Sequence, residues 1–147
     1  MISLAILLGI YFLARKEWHS AAVMLVSVGG TGIFIWVFKE LFMRVRPENA
    51  LQAIIGDPSF PSGHAGLAAA FFLALAYILA PKIHSLVKRE LMIAGFIVVI
   101  ILIGLSRLVL NVHWASDVLA GWSLGIFITI ASILLVGYVG ALVVKKS

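Results

Sequence analysis

Apolar residues fill this chain in long runs, and short polar segments break the runs. The runs are continuous rather than alternating. They therefore predict helices, not the alternating ten-residue strands of a membrane barrel. The first predicted helix covers Ile2–Ala14, and the second runs from about Trp18 into the Lys39 region. A connector from Pro47 to Phe60 follows, rich in breakers such as Pro47, Asn49, Gly56, Asp57 and Ser59. The third helix is expected to start at Pro61, whose missing N–H costs nothing in a first turn, and to end near Ala80. Pro81–Glu90 reads as a basic polar loop. The fourth helix spans about Leu91–Leu110. The fifth runs from about Trp114 to Val144, long enough to tilt or protrude.

Composition turns these helices into membrane spans. Of 147 residues, 63% are hydrophobic, whereas soluble domains are about half apolar. A soluble chain of this size could not hide that surface. The expected fold is all-α, a polytopic transmembrane bundle of about five helices in a single domain, residues 1–147. There is no cysteine, which excludes disulfides, thiol catalysis and thiolate metal sites and leaves the redox compartment open. The net charge of +5 comes from 11 Lys and Arg against six Asp and Glu. They form no long basic run, so a nucleic-acid partner is not expected. The N-terminus lacks the basic lead and cleavage site of a signal peptide.

The placement of charge matters more than its sum. Arg15 and Lys16 follow the first helix, Lys82, Lys88 and Arg89 the third, and Lys145 and Lys146 the fifth. These positions alternate along the chain and so share one face, which the positive-inside rule makes cytoplasmic. The opposite, extracytoplasmic face receives three polar segments: Lys39 to Pro47, Pro61 to His64, and Ser106 to Asp117.

Together these segments offer three cations, two histidines and a carboxylate, enough to bind a phosphate and transfer it. Lys39 and Arg46 are seven apart, which on a helix returns to nearly one face. Arg provides a planar fork for phosphate and Lys a point charge. Arg44 lies off that face and reads as an interfacial charge near lipid headgroups. Ser62-Gly63-His64 opens a helix, where unpaired N–H groups and the positive dipole end favour an anion. Gly63 permits close approach, Ser62 adds a hydroxyl, and His64 can exchange a proton near neutral pH. His113 and Asp117 are four apart, one helical turn. A carboxylate on one ring nitrogen fixes the tautomer and leaves the other free to attack or to accept a proton. Arg107 can neutralise phosphate charge and Ser106 could add a donor.

Lys39-x6-Arg46-Pro47, Pro61-Ser62-Gly63-His64 and Ser106-Arg107-x5-His113-x3-Asp117 resemble, in order and spacing, the three signature motifs of the type 2 phosphatidic acid phosphatase superfamily. The resemblance extends from about Lys39 to the C-terminus. It implies that His113 is the nucleophile and forms a phosphohistidine, that Asp117 orients it, and that His64 protonates the leaving oxygen. It implies that Lys39, Arg46, Arg107, Ser62 and the Gly63 backbone hold the phosphate. No metal or other cofactor is implied, and the residues agree: three cations already do the neutralising, and the carboxylates do not cluster. Asp57 and Glu48 read as connector residues without a partner at metal-ligand spacing. Membrane lipid phosphatases of this family commonly have six spans. Five are counted here, and the first would be only about 20 Å long. The expectation is that one or more helices precede Met1, that the first helix is reduced, or that Met1 is the natural start.

Other segments read more simply. His19 and His84 are interfacial polar residues in cytoplasmic-side loops. Gly29-Gly30-Thr31-Gly32 lacks phosphate-loop spacing and reads as close helix contact, as do Ala65–Ala70 and Gly121-x3-Gly125, the latter within the bundle rather than in a dimer. Trp114 and Trp122 read as packing or interface aromatics. Asn111 and Trp114 flank His113 and are candidate substrate contacts, with Ser106. The connector 47–60 is a lid or a simple link. The expected activity is hydrolysis of a lipid phosphate or diphosphate at the outer face of a prokaryotic cell membrane. The substrate order is undecaprenyl diphosphate, then phosphatidylglycerol phosphate or phosphatidic acid. The rival classes are a non-catalytic lipid-phosphate binder or transporter, disfavoured by the intact His64, His113 and Asp117 and by the lack of a polar path across the bilayer, and a haloperoxidase, disfavoured by the apolar bundle. The oligomeric state is left open.

Overall fold

The computed structural model describes residues 1–48 and 57–145, and among these every regular element is helical. Helix α1 is Ile2–Ala14, α2 Trp18–Phe42, α3 Gly63–Leu79, α4 Leu86–Val109 and α5 Ala115–Val144. A short 3₁₀ turn, Ala80–Lys82, continues α3. Helices α2, α4 and α5, and α3 together with its turn, are long and apolar enough to cross a membrane, whereas α1 has only 13 residues. Exposed Ile97, Val98, Ile101, Leu102 and Val109 on α4, and Phe127, Ile130, Leu134 and Leu135 on α5, form an apolar exterior, as a lipid-facing surface requires.

Helix α3 is the axis of the bundle. It packs most extensively on α5 and also on α2 and α4, while α1 docks on α2. Its buried face carries Ala65, Gly66, Ala68, Ala69, Ala70 and Ala74, with Phe71 and Ile78 as the large members. With no hydrophobic drive between helices in lipid, small residues and close backbone contact hold the seam. Gly121 and Gly125 of α5 complete it. A Cβ on Gly121 would lie 2.5 Å from the Ser62 carbonyl oxygen, and one on Gly125 would strike the Gly66 carbonyl. The Gly121/Gly125 pair is thus spent inside the bundle. Helix α4 is held more lightly, with only Ile100 and Gly104 buried, and the Trp122 ring of α5 fills the space a Cβ on Gly104 would need.

Two boundaries and the placement of one residue differ from the sequence reading. Helix α3 starts at Gly63 rather than Pro61, because Ser62 is extended and donates its N–H to the Asp117 carbonyl at 2.9 Å. Helix α4 starts at Leu86, five residues early. Ser85 caps it by accepting from the Lys88 N–H, and the charged residues after it are sound helix formers in the first turns. His19 belongs to the first turn of α2, where its Nε2 lies 3.2 Å from the Tyr77 hydroxyl. Most of the 47–60 connector, and with it the choice between lid and link, lies outside the described residues.

The α1 N-terminus, the α2 C-terminus, the α3 N-terminus, the α4 C-terminus and the α5 N-terminus meet at one end of the bundle, around a common cavity. The opposite end gathers basic residues. There Lys82 bonds Glu17 at 2.6 Å and lies over the Phe12 ring. Glu17 is held below the usual carboxylate range chiefly by its hydrogen bond from Lys82.

Candidate active site

The cavity has a volume of about 450 Å³ and is lined by Lys39, Arg46, Asp57, Gly63, His64, Arg107 and His113, with Met1, Leu67 and Val112 as apolar walls. Six of the eight residues expected to bind phosphate or to react therefore face one space, contributed by four different helix ends. Ser62 is fully buried beside them, and its hydroxyl has no partner among the described residues. Asp117 is fully buried behind His113.

Lys39 and Arg46 meet, but not by the helical spacing expected of them. Helix α2 stops at Phe42, because Met43 takes a left-handed conformation (φ 42°) and returns its N–H to Lys39. Residues 44–46 then lie outside any helix, and Ser59 pairs alongside through its N–H to the Arg44 carbonyl at 2.8 Å and its hydroxyl to the Val45 carbonyl. In such a segment residues two apart share a side. Arg44 and Arg46 both point toward the α4–α5 connection, and Val45 is left exposed.

Two residues take roles the sequence reading did not give them. Asp57 lies between the two cations. Lys39 Nζ is 2.7 Å from one carboxylate oxygen, Arg46 Nη2 pairs with the other, and Arg46 Nε donates to the Asp57 carbonyl at 3.0 Å. Burial pushes this carboxyl up, but the bonds from Lys39 and Arg46 prevail and hold it below the usual range. Arg44 is no stray interfacial charge: its Nη1 lies 2.8 Å from Asp117 Oδ1 and 2.7 Å from the Ser116 hydroxyl. The chain has only six acidic residues, and several cations crowd the site end. A lone Asp four residues before Pro61 was the available signal for Asp57.

His113 and Asp117 also meet by a route other than a shared helical face. His113 precedes α5, in a turn that contains Asn111 at φ 52°. Asp117 is the third residue of the helix, and its Oδ2 folds back to accept the Trp114 N–H at 2.9 Å. The same oxygen stands 3.5 Å from His113 Nδ1, near enough for charge to act and long for a hydrogen bond. Burial first, then the Arg46 guanidinium, pushes His113 below the ordinary histidine range, against Asp117 and the Ser59 carbonyl, which favour its protonation. The balance favours the neutral ring.

Ser106, Asn111 and Trp114, the candidate substrate contacts, all make hydrogen bonds within the protein. Ser106 accepts from Arg107 Nε and Nη2 at 3.1 Å each and donates to the Ile103 carbonyl, so it fixes the fork of Arg107. Asn111 donates to the Glu48 carbonyl, and Trp114 Nε1 to that of Val45. These bonds tie the α4–α5 connection to the segment after α2.

Comparison with known proteins agrees with this arrangement. The sequence profile of the PAP2 superfamily matches residues 20–141. Phosphatidylglycerophosphatase B of Bacillus subtilis is 39% identical over 120 residues, which are 80% of this chain and 58% of that protein. An undecaprenyl-diphosphatase of Sulfolobus acidocaldarius is 31% identical over 76% of this chain and 50% of its own length. A lipid A 1-phosphatase of Rhizobium etli is 32% identical over 71% of this chain. The chain thus spans about half the length of these curated relatives. The crystal structure of a transmembrane PAP2-type phosphatidylglycerolphosphate phosphatase from B. subtilis superposes with a TM-score of 0.77 at 33% identity, covering 95% of this chain and 68% of that one. With helices that can cross a membrane, a cationic cavity at one end of them, and a profile match over most of its length, this chain belongs to the PAP2 superfamily.

Proposed function

We propose that the protein is a membrane phosphatase that removes phosphate from a lipid through a phosphohistidine. One observation carries the reading: Lys39, Arg46, Arg107, His64 and His113 converge on a single cavity at one end of a membrane-spanning bundle. His113 attacks phosphorus in line with the leaving oxygen. The phosphorus–oxygen bond breaks as the nitrogen–phosphorus bond forms, and His64 gives its proton to the departing lipid oxygen. Water then attacks the phosphohistidine, with His64 taking its proton, and inorganic phosphate and free His113 are restored. Lys39, Arg46, Arg107, the Ser62 hydroxyl and the Gly63 N–H hold the equatorial oxygens in both steps. Asp117 steadies the His113 ring.

The substrate we infer is phosphatidylglycerol phosphate, ahead of a polyprenyl diphosphate. The side chains of Lys39, Arg46 and Arg107 against that of Asp57 give the cradle a side-chain charge of about +2, which suits a phosphomonoester of −1.5 to −2, roughly. The B. subtilis relative and structural neighbour carry that activity in their names, and the more distant S. acidocaldarius relative supports the diphosphate as the second reading. The membrane lipids themselves are then the partner of the exposed apolar exterior. The basic opposite end favours the cytoplasm, which directs the cavity outward.

The test is phosphate release by the purified protein in detergent, with phosphatidylglycerol phosphate and undecaprenyl diphosphate compared side by side. Wild type is expected to prefer the monoester. His113→Ala is expected to lose at least about a thousandfold in kcat. Substantial turnover by that variant would show that the nucleophile is misassigned.

A further inference from the structure

The strongest feature left over is the Arg44–Asp117 pair. Arg44 is partly exposed, at 39%, yet its Nη1 reaches Oδ1 of a carboxylate that is 0% exposed, at 2.8 Å. The same nitrogen donates to the Ser116 hydroxyl, and the guanidinium carbon sits 5.6 Å from the centroid of the Trp114 ring. The two oxygens of Asp117 are therefore divided. Oδ1 belongs to Arg44, and Oδ2 to the Trp114 N–H and the near edge of His113. Arg44 does not line the cavity, so it is not placed to touch a phosphate.

We propose that Arg44 is a positioning residue for the phosphoryl-transfer site, clamping Asp117 so that Oδ2 faces His113 and offsetting the carboxylate charge so that the imidazole stays neutral. The proposal rests on His113 being the nucleophile. A buried carboxylate needs a partner for each oxygen, and without Arg44 the carboxylate would be free to turn. The electrostatic part has a definite sign. An uncompensated Asp117 holds a proton on His113 more strongly, so the ring becomes neutral only at higher pH. The other groups that face His113 are Arg46 and the Ser59 carbonyl, with Lys39 of α2, Asp57, His64 of α3, Arg107 of α4 and the amino group of Met1, which precedes α1, around the shared cavity. Substitution of Arg44 leaves all of these in place.

The experiment compares Arg44→Gln, Arg44→Met and Arg44→Lys with wild type in detergent, on phosphatidylglycerol phosphate across pH. The Gln and Met variants are expected to lose roughly ten- to a hundredfold in kcat with KM within about threefold, and to move the acidic limb of kcat/KM up by about half a unit to one unit. The Met variant keeps an unbranched side chain without the charge and serves if the Gln variant melts early. Lys keeps the charge and is expected to keep the limb near its wild-type position. A uniform loss with an unmoved limb would reduce Arg44 to a structural brace. A rise in KM alone would make it a substrate contact. Either result overturns the proposal while leaving His113 as nucleophile intact. Turnover by His113→Ala would instead sink the reading on which it rests.

Discussion

In the proposed mechanism the protonation of His113 sets the pH range in which the site can work. Burial and Arg46 lower its proton affinity, so the ring is neutral at a pH where an ordinary histidine, near about 6.5, would be charged. An NMR titration of histidine-labelled protein in detergent is expected to give a midpoint for His113 below that value; a midpoint above it would contradict the placement of the ring. Asp57 makes a second prediction at this scale. Its carboxylate occupies both Lys39 and Arg46, so any incoming phosphate competes with it. Asp57→Asn is expected to bind inorganic phosphate about tenfold more tightly, read as a lower inhibition constant, with a lower kcat because the two cations are less well held. Weaker phosphate inhibition would mean that Asp57 only orders the cradle.

At the level of elements, the α3–α5 seam carries the architecture. Helix α5 brings Gly121 and Gly125 against the Ser62 and Gly66 carbonyls, and the same contact seats Asp117 beside the start of α3. Gly125→Ala is expected to lower stability by about 1–3 kcal/mol, measured by thermal melting in detergent. Gly137→Ala, where an added Cβ meets nothing within 4 Å, is the control and is expected to leave the melting temperature unchanged or slightly raised. Hydrophobic runs were enough to locate the five helices, because a membrane span has little choice but to be helical. The ends were less legible. Heptad spacing pairs Lys39 with Arg46, but α2 ends at Phe42 because Met43, a residue that gives no sign of favouring it, turns left-handed. Arg44 looked misdirected for the same reason. His113 and Asp117 suggested a helical face, while a helix-capping carboxylate joins them. The pairing of Asp57 was not legible beyond its place before Pro61, since its partners come from the end of α2 and the segment after it.

For the molecule as a whole, the segregation of charge gives an orientation that can be measured. Because the chain has no cysteine, single cysteines can be introduced without background. A membrane-impermeant label in intact cells is expected to reach Val45→Cys, which lies exposed at the cavity end, and to miss Ser85→Cys at the basic end. The reverse pattern would invert the topology and direct the cavity to the cytoplasm. The bond of Lys39 and Arg46 to Asp57 has a further consequence at this scale. Clustered cations at the end of an apolar bundle repel one another, and Asp57 acts as a built-in counterion that lets the empty protein keep its shape. Added phosphate should therefore raise the wild-type melting temperature little. A chain without that carboxylate should instead depend on dissolved anions for its stability, and gain from them in proportion to the logarithm of their concentration.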